Sequence, residues 1–109
     1  MDDFKKERDE ALEEALAIGL THRKNGRLKE AAAVYSQVLG LDPNNLEALE
    51  AMGEIASASD TPHAALPIYA KILHLDPENI SALNNRGIHL MSMGDAEASE
   101  FSFRKLLKI

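Results

Sequence analysis

Four histidines are the side chains of this chain best suited to transfer a proton or to hold a metal ion near neutral pH. They are His22, His63, His74 and His89. Zinc and iron sites place Cys, His or carboxylate ligands at short, recurring intervals. None of the four histidines has such a ligand at a recognisable interval, and the chain contains no cysteine. The sequence therefore predicts structural roles for the histidines and no bound metal or other cofactor.

The serine and carboxylate side chains show no catalytic pattern either. None of the seven serines lies in the Gly-x-Ser-x-Gly turn that presents a nucleophile. No glycine-rich phosphate loop occurs. The carboxylates Glu7, Glu10, Glu13 and Glu14 can pair with basic residues one helical turn away, as solvated helix charges do. We therefore predict no catalytic residues and a protein that is not an enzyme.

Charge and hydropathy exclude two further classes of partner. The formal net charge of −6 disfavours binding to a nucleic-acid backbone. No apolar run approaches the roughly 18 residues that span a membrane, so we predict no membrane insertion. The charged N-terminus has no apolar core of a secretion signal. These features predict a cytoplasmic protein of one domain.

The elements that position these side chains repeat every 34 residues. Gly19, Gly53 and Gly87 set the interval, and Tyr35, Tyr69 and Phe103 follow it. The same step relates Ala31, Ala65 and Ser99, then Val38, Ile72 and Leu106, and finally Asp42-Pro43 and Asp76-Pro77. A period in this range is typical of stacked helical arrays. We interpret the three glycines as sites where paired helices approach closely.

Helical periodicity and turn residues divide the chain into six helices. They are predicted at 3–24, 28–41, 46–58, 62–75, 80–93 and 96–109. Residues 3–11 make the first helix about three turns longer than a repeat requires. Pro67 lies inside the fourth helix, where it predicts either a kink or an irregular first turn.

These residues resemble the tetratricopeptide repeat family. Its pattern has a small residue in a first helix, a small residue and an aromatic in a second, and then Asp-Pro before the next repeat. The resemblance implies an all-α, right-handed superhelical array of three helix-turn-helix repeats. We expect an N-terminal extension at 1–11 and repeats at 12–45, 46–79 and 80–109.

The resemblance also implies a binding groove, because first helices line the concave face in this family. Carried over residue by residue, the first row holds Glu13, Leu16, Ala17, Leu20, Arg23 and Lys24. The second row holds Glu47, Glu50, Ala51, Glu54 and Ser57, and the third holds Ser81, Asn84, Asn85, Ile88 and Met91. From Asp42 to Glu100 the chain has ten acidic residues against two basic ones. The hypothesis is therefore an interaction scaffold for a basic, partly apolar peptide or helix.

The same resemblance bears on other possible functions. Family members that hold the acidic tail of heat-shock chaperones use Lys, Asn and Arg where this chain has Leu16, Leu20, Ala51, Ser81 and Asn85, so we expect no such binding. The chain could instead be a regulatory or targeting segment of a larger enzyme, or a small bacterial secretion-type chaperone.

The last helix carries Phe101, Phe103, Leu106, Leu107 and Ile109, an apolar set that one helix partner cannot cover. It predicts a homo-oligomer through this helix, or a protein that continues past it.

Overall fold

The fold is built from six α-helices in residues 2–59 and 62–108, the part of the chain that the computed structural model describes. No β-strand occurs in those two ranges. The helices are α1 (Asp2–Lys24), α2 (Leu28–Leu41), α3 (Leu46–Ser57), α4 (Ala65–Leu75), α5 (Ile80–Ser92) and α6 (Ala96–Leu107). Apart from the later start of α4, every bound lies within two residues of the predicted one, and the predicted all-α fold of three helix pairs is confirmed. Within the described ranges, no helix has an apolar stretch long enough to cross a bilayer.

The chain divides into two compact units, Met1–Ala51 and Met52–Ile109. The boundary lies inside α3. The first unit contains the α1–α2 pair, and the second contains the end of α3 followed by α4, α5 and α6. The division into an extension and three repeats stays a prediction.

Two glycines turn the chain between the helices of a pair. Gly26, between α1 and α2, has φ 75°, and Gly94, between α5 and α6, has φ 84°. Residues with a side chain adopt this left-handed conformation only at a cost, whereas glycine adopts it freely. Just beyond these glycines, the N–H of Arg27 donates to the carbonyl of His22 at 2.8 Å and that of Asp95 to the carbonyl of Leu90 at 2.9 Å. Each turn therefore satisfies a carbonyl at the end of the preceding helix.

A contact between a glycine and an aromatic ring holds α1 against α2 in the first unit. A Cβ added to Gly19 would lie 2.8 Å from Cζ of the buried Tyr35. Carbon atoms in van der Waals contact are about 3.5–4.0 Å apart, so a side chain at this position would collide with the ring. Leu12, Ala31 and Val38 are also buried in this unit.

The second unit contains the same contact twice. A Cβ on Gly53 would lie 2.9 Å from Cε1 of Tyr69, and one on Gly87 would lie 2.7 Å from Cζ of Phe103. The predicted close approach at Gly53 and Gly87 is confirmed. In each case, the group that occupies the space is the aromatic ring 16 residues later.

Pro67 lies in the first turn of α4, which follows a short 3₁₀ turn at Pro62–Ala64. The first N–H groups of a helix have no acceptor within it, so a proline there removes no backbone hydrogen bond. The sequence predicted either a kink or an irregular first turn at Pro67, and the structure has the irregular first turn.

Asparagine side chains begin α3 and α5 at corresponding positions. The Asn45 Oδ1 accepts from the N–H of Ala48 at 3.0 Å, and the Asn79 Oδ1 accepts from the N–H of Ala82 at 2.9 Å. Their Nδ2 atoms donate to Asp42 and Asp76 at 3.1 and 3.3 Å. The recurring Asp-Pro-x-Asn segment is thus a helix cap. Its asparagine could have been found in the sequence, since Asn45 and Asn79 are also 34 residues apart.

Candidate interaction surface

The first predicted row lies on α1, within the first unit. Leu16, Leu20 and Arg23 follow one another at intervals of four and three residues, so they share one side of the helix. All three are half-buried. Arg23 already has an intramolecular interaction partner. The row therefore offers partly exposed apolar surface and one guanidinium residue that already has an interaction partner within the chain.

The second row lies on α3 and is acidic. Glu47 and Glu54 are exposed, and Glu50 is half-buried. Glu50 and Glu54 each have an intramolecular interaction partner. Their spacing of three and four residues puts all three carboxylates on one side of the helix.

Two other residues predicted for the second row do not belong to an open surface. Ala51 is only 2% exposed, because a small apolar residue at this point of α3 is part of the core. The hydroxyl of Ser57 is used in a polar cluster described below. The sequence could not separate these two from the glutamates, since all five lie near one side of α3.

The third row lies on α5, within the second unit. Asn84 is exposed and Asn85 half-buried, whereas Ile88 and Met91 are both exposed. Ile88 and Met91 are three residues apart and share one side of α5. This row therefore combines amide groups with an apolar contact surface.

The second unit contains a polar cluster that the sequence did not predict. The Ser57 Oγ donates to the carbonyl of Gly53 at 2.9 Å, and the Tyr69 Oη donates to the same carbonyl at 3.2 Å. The Ser57 Oγ also bonds to the Tyr69 Oη and lies 2.9 Å from Nε2 of His89. The ring of His89 stacks on Tyr69, with centroids 6.0 Å apart. The cluster thus ties α3, α4 and α5 together.

Ser57 and His89 are part of a larger hydrogen-bonded network. Nucleophilic serines also lie at hydrogen-bond distance from a histidine base. Here the Ser57 Oγ also bonds to the Gly53 carbonyl and to the Tyr69 Oη, so the serine and the histidine join α3, α4 and α5. In residues 2–59 and 62–108, no group of three His, Asp or Glu side chains could hold a metal ion.

A shallow depression of 660 Å³ lies beside α5 and α6. Its lining residues are Arg86, Asp95, Glu97, Ala98, Glu100, Phe101 and Arg104. Arg104 pairs with Glu100 at 2.6 Å, and Asp95 caps α6 by accepting from the N–H of Ala98. Three carboxylates against two guanidinium groups give the depression no positive excess, so it is not suited to an anion.

The end of the second unit carries an apolar face that is less covered than its counterpart on α4. Tyr69 and Ile72 on α4 are buried, and α4 packs against α5. The corresponding residues of α6, Phe103 and Leu106, are only half-buried, and Leu107 is 84% exposed. We call Phe103, Leu106 and Leu107 the C-terminal face.

Phe101 and Leu107, two residues of the apolar set predicted for α6, are exposed, as expected of a set that one helix partner cannot cover. Phe101 is 65% exposed but lines the depression beside Arg86 and is not part of the C-terminal face. Its counterparts Ala33 and Pro67 are also exposed, so this side of the second helix is open in all three pairs. Ile109 lies outside the described residues.

Known proteins share part of this sequence and its helical architecture. Residues 12–55 match the tetratricopeptide repeat family model. No curated protein matches the sequence. Among solved structures, the chain is similar to a tetratricopeptide repeat protein from Parabacteroides merdae, with a TM-score of 0.82, 26% identity, and coverage of 86% of this chain and 37% of that one.

Two other solved structures share the fold. The MamA protein matches with a TM-score of 0.84 and 24% identity, over 92% of this chain and 55% of that one. The pilF protein of Pseudomonas aeruginosa matches with a TM-score of 0.74 and 26% identity, over 91% of this chain and 45% of that one. The chain thus spans 37–55% of the length of these three structures.

The family match begins at the predicted start of the first repeat, and the 34-residue period extends the pattern through α6. Tetratricopeptide repeat proteins generally mediate protein–protein interactions and are typically scaffolds without enzymatic activity. In its sequence over residues 12–55 and in its fold, this chain is similar to tetratricopeptide repeat proteins.

Proposed function

We propose that this chain is a protein-interaction module whose first helices bind a basic, partly apolar peptide or helix. The observation that supports it most is the acidic row on α3, where Glu47, Glu50 and Glu54 share one side of the helix. A row of like charges attracts a complementary partner and speeds its association. Each unit also presents apolar residues that suit a partly apolar ligand, Leu16 and Leu20 in the first and Ile88 and Met91 in the second.

The negative net charge of the surrounding residues supports a positively charged partner. Between Asp42 and Glu100, Lys71 and Arg86 are the only basic residues against ten acidic ones. Glu50 and Glu54 each have an interaction partner within the chain, and Glu47 is exposed. An acidic peptide or a nucleic acid would be repelled here, so we propose neither as a partner.

A peptide titration tests this proposal. The probe is a fluorescent amphipathic peptide of Lys and Leu, compared with the peptide in which Glu replaces each Lys. We expect saturable binding of the Lys peptide only. The variant Glu47→Lys/Glu50→Lys/Glu54→Lys should raise its Kd at least tenfold, with unchanged helicity by circular dichroism.

A matched control distinguishes an effect of the acidic row on α3 from an effect of net charge alone. Glu30→Lys/Glu78→Lys/Glu97→Lys changes the net charge equally at three exposed positions elsewhere. It should alter Kd much less than the α3 variant. The single change Glu47→Lys should weaken binding on its own, because that side chain is exposed. Equal losses in both triple variants would contradict a site on α3.

Three further assignments stay predictions. A role as a regulatory or targeting segment of a larger enzyme, or as a secretion-type chaperone, is the alternative to an independent scaffold. The cytoplasmic location and the absence of a cofactor rest on the sequence. Self-association through α6 is a separate proposal. In it, α6 of one copy contacts the N-terminal turns of α1 of a second copy.

A further inference from the structure

The N-terminal turns of α1 form an exposed acidic helix surface. Residues 3–11 are exposed throughout, and Phe4 is 79% exposed. Between Asp2 and Glu14 the chain has seven carboxylates against three basic side chains. Phe4 and Ala11 are seven residues apart and share one side of the helix. This segment therefore presents an apolar stripe with acidic surroundings.

The C-terminal face has the opposite charge. Between Phe101 and Lys108 the chain has Arg104, Lys105 and Lys108 and no carboxylate. Arg104 is paired with Glu100, whereas Lys105 and Lys108 are exposed and have no ion pair within the described part of the chain. The apolar area beside them comes from Phe103 and Leu106, whose counterparts in α4 are buried, and from the exposed Leu107.

From these two surfaces we infer that the N-terminal turns of α1 of one copy dock on the C-terminal face of α6 of a second copy. Opposite charges favour this pairing, and each partner contributes an apolar stripe that water contacts in the free chain. Pairing of α6 with α6 would bring basic residues together, and pairing of α1 with α1 would bring carboxylates together. This association goes beyond the proposed function, because it uses none of the three predicted rows.

The proposed contact joins two different surfaces, so each copy keeps one free surface of each kind. Such head-to-tail contacts build rings or open chains instead of a closed two-fold dimer. The mass in solution should therefore rise with concentration above the 11.9 kDa monomer and beyond a dimer. Because the attraction is between charged, exposed groups, the mass should fall as salt is added.

Charge reversal in analytical ultracentrifugation tests the pairing. The variants Glu7→Lys/Glu10→Lys and Lys105→Glu/Lys108→Glu should each be monomeric where the unmodified chain associates. The chain that carries all four changes should associate again, because both surfaces have changed sign. An equimolar mixture of the two double variants should also associate, which provides a second test if the fourfold variant does not fold.

Two controls define the outcomes that overturn the inference. Glu30→Lys/Glu78→Lys makes the same charge change as the α1 variant at exposed positions elsewhere and should leave association unchanged. Leu107→Ser should weaken association without changing the charge. A monomeric unmodified chain at all concentrations would overturn the inference. Association that survives Glu7→Lys/Glu10→Lys would also overturn it and indicate pairing of α6 with itself, and so would failure of both the fourfold variant and the mixture.

Discussion

At the level of single residues, the hydroxyl group that donates to the glycine carbonyl comes from a different position in the second and third helix pairs. In the second pair, the Tyr69 Oη donates to the carbonyl of Gly53. In the third pair, the aromatic is Phe103, which has no hydroxyl. There Ser99, at the position of Ala31 and Ala65, donates to the carbonyl of Gly87 at 2.7 Å. A buried carbonyl beside the glycine thus has a donor in both pairs, as buried polar groups require.

The glycine–aromatic contacts make substitution costly at Gly53. Gly53→Ala would place a methyl group 2.9 Å from a ring that is buried and fixed by its hydroxyl. We expect a loss of about 1–3 kcal/mol in the free energy of unfolding, since overpacking outweighs the gain in helix propensity. Urea denaturation monitored by circular dichroism measures it.

Gly40 provides the matched control, because it lies in α2 where an added Cβ would meet no neighbouring atom within 4 Å. Gly40→Ala should therefore be neutral or stabilise the chain by up to about 1 kcal/mol. Equal effects of the two substitutions would contradict the packing role of Gly53.

At the level of helices, the starting points are set by local side-chain hydrogen bonds. The caps of α3 and α5 use Asn45 and Asn79, and α6 uses Asp95. These caps satisfy N–H groups that the helix itself cannot pair. A short segment of sequence thereby sets where each of these helices begins, independently of what it packs against.

The cap prediction compares two adjacent asparagines. Asn45→Ala removes an acceptor from the start of α3 and should lower the free energy of unfolding by about 1 kcal/mol. Asn44→Ala, one residue earlier at an exposed position, should change it by less than about 0.5 kcal/mol. Thermal melts of the two variants measure the difference, and equal melting temperatures would rule out a capping role for Asn45.

Over the full length of the chain, burial is unequal. The side chains of α1 at positions 3–11 are exposed, and α6 keeps a half-buried aromatic where α4 buries one. Segments with few buried contacts open at a lower free energy than the core. The N-terminal turns of α1 and the helix α6 should therefore be less protected than α4.

Hydrogen exchange measures this difference directly. In the monomeric variant Glu7→Lys/Glu10→Lys, amides of residues 3–11 should exchange fastest, those of α6 next, and those of α4 slowest within the second unit. In the associated unmodified chain, the proposed docking should slow exchange in both terminal segments. Protection of α6 equal to that of α4 in the monomer would contradict the difference in burial.

Local sequence signals were sufficient to predict the fold class, most helix bounds and the role of the glycines. Each helix pair carries the same signals at the same interval, as Gly53 and Tyr69 repeat in Gly87 and Phe103. Turn glycines, Asp-Pro segments and helical periodicity act within a few residues, so their effect does not depend on distant parts of the chain.

Contacts across helices, in contrast, depend on the folded arrangement. Ser57, Tyr69 and His89 form one cluster although 12 and 32 residues separate Ser57 from the other two. No periodic pattern predicts this contact, because neither the third nor the first pair has the same three residues. The burial of Ala51 was likewise not predictable from the sequence. It depends on how much space neighbouring helices leave, and residue type alone does not determine that space.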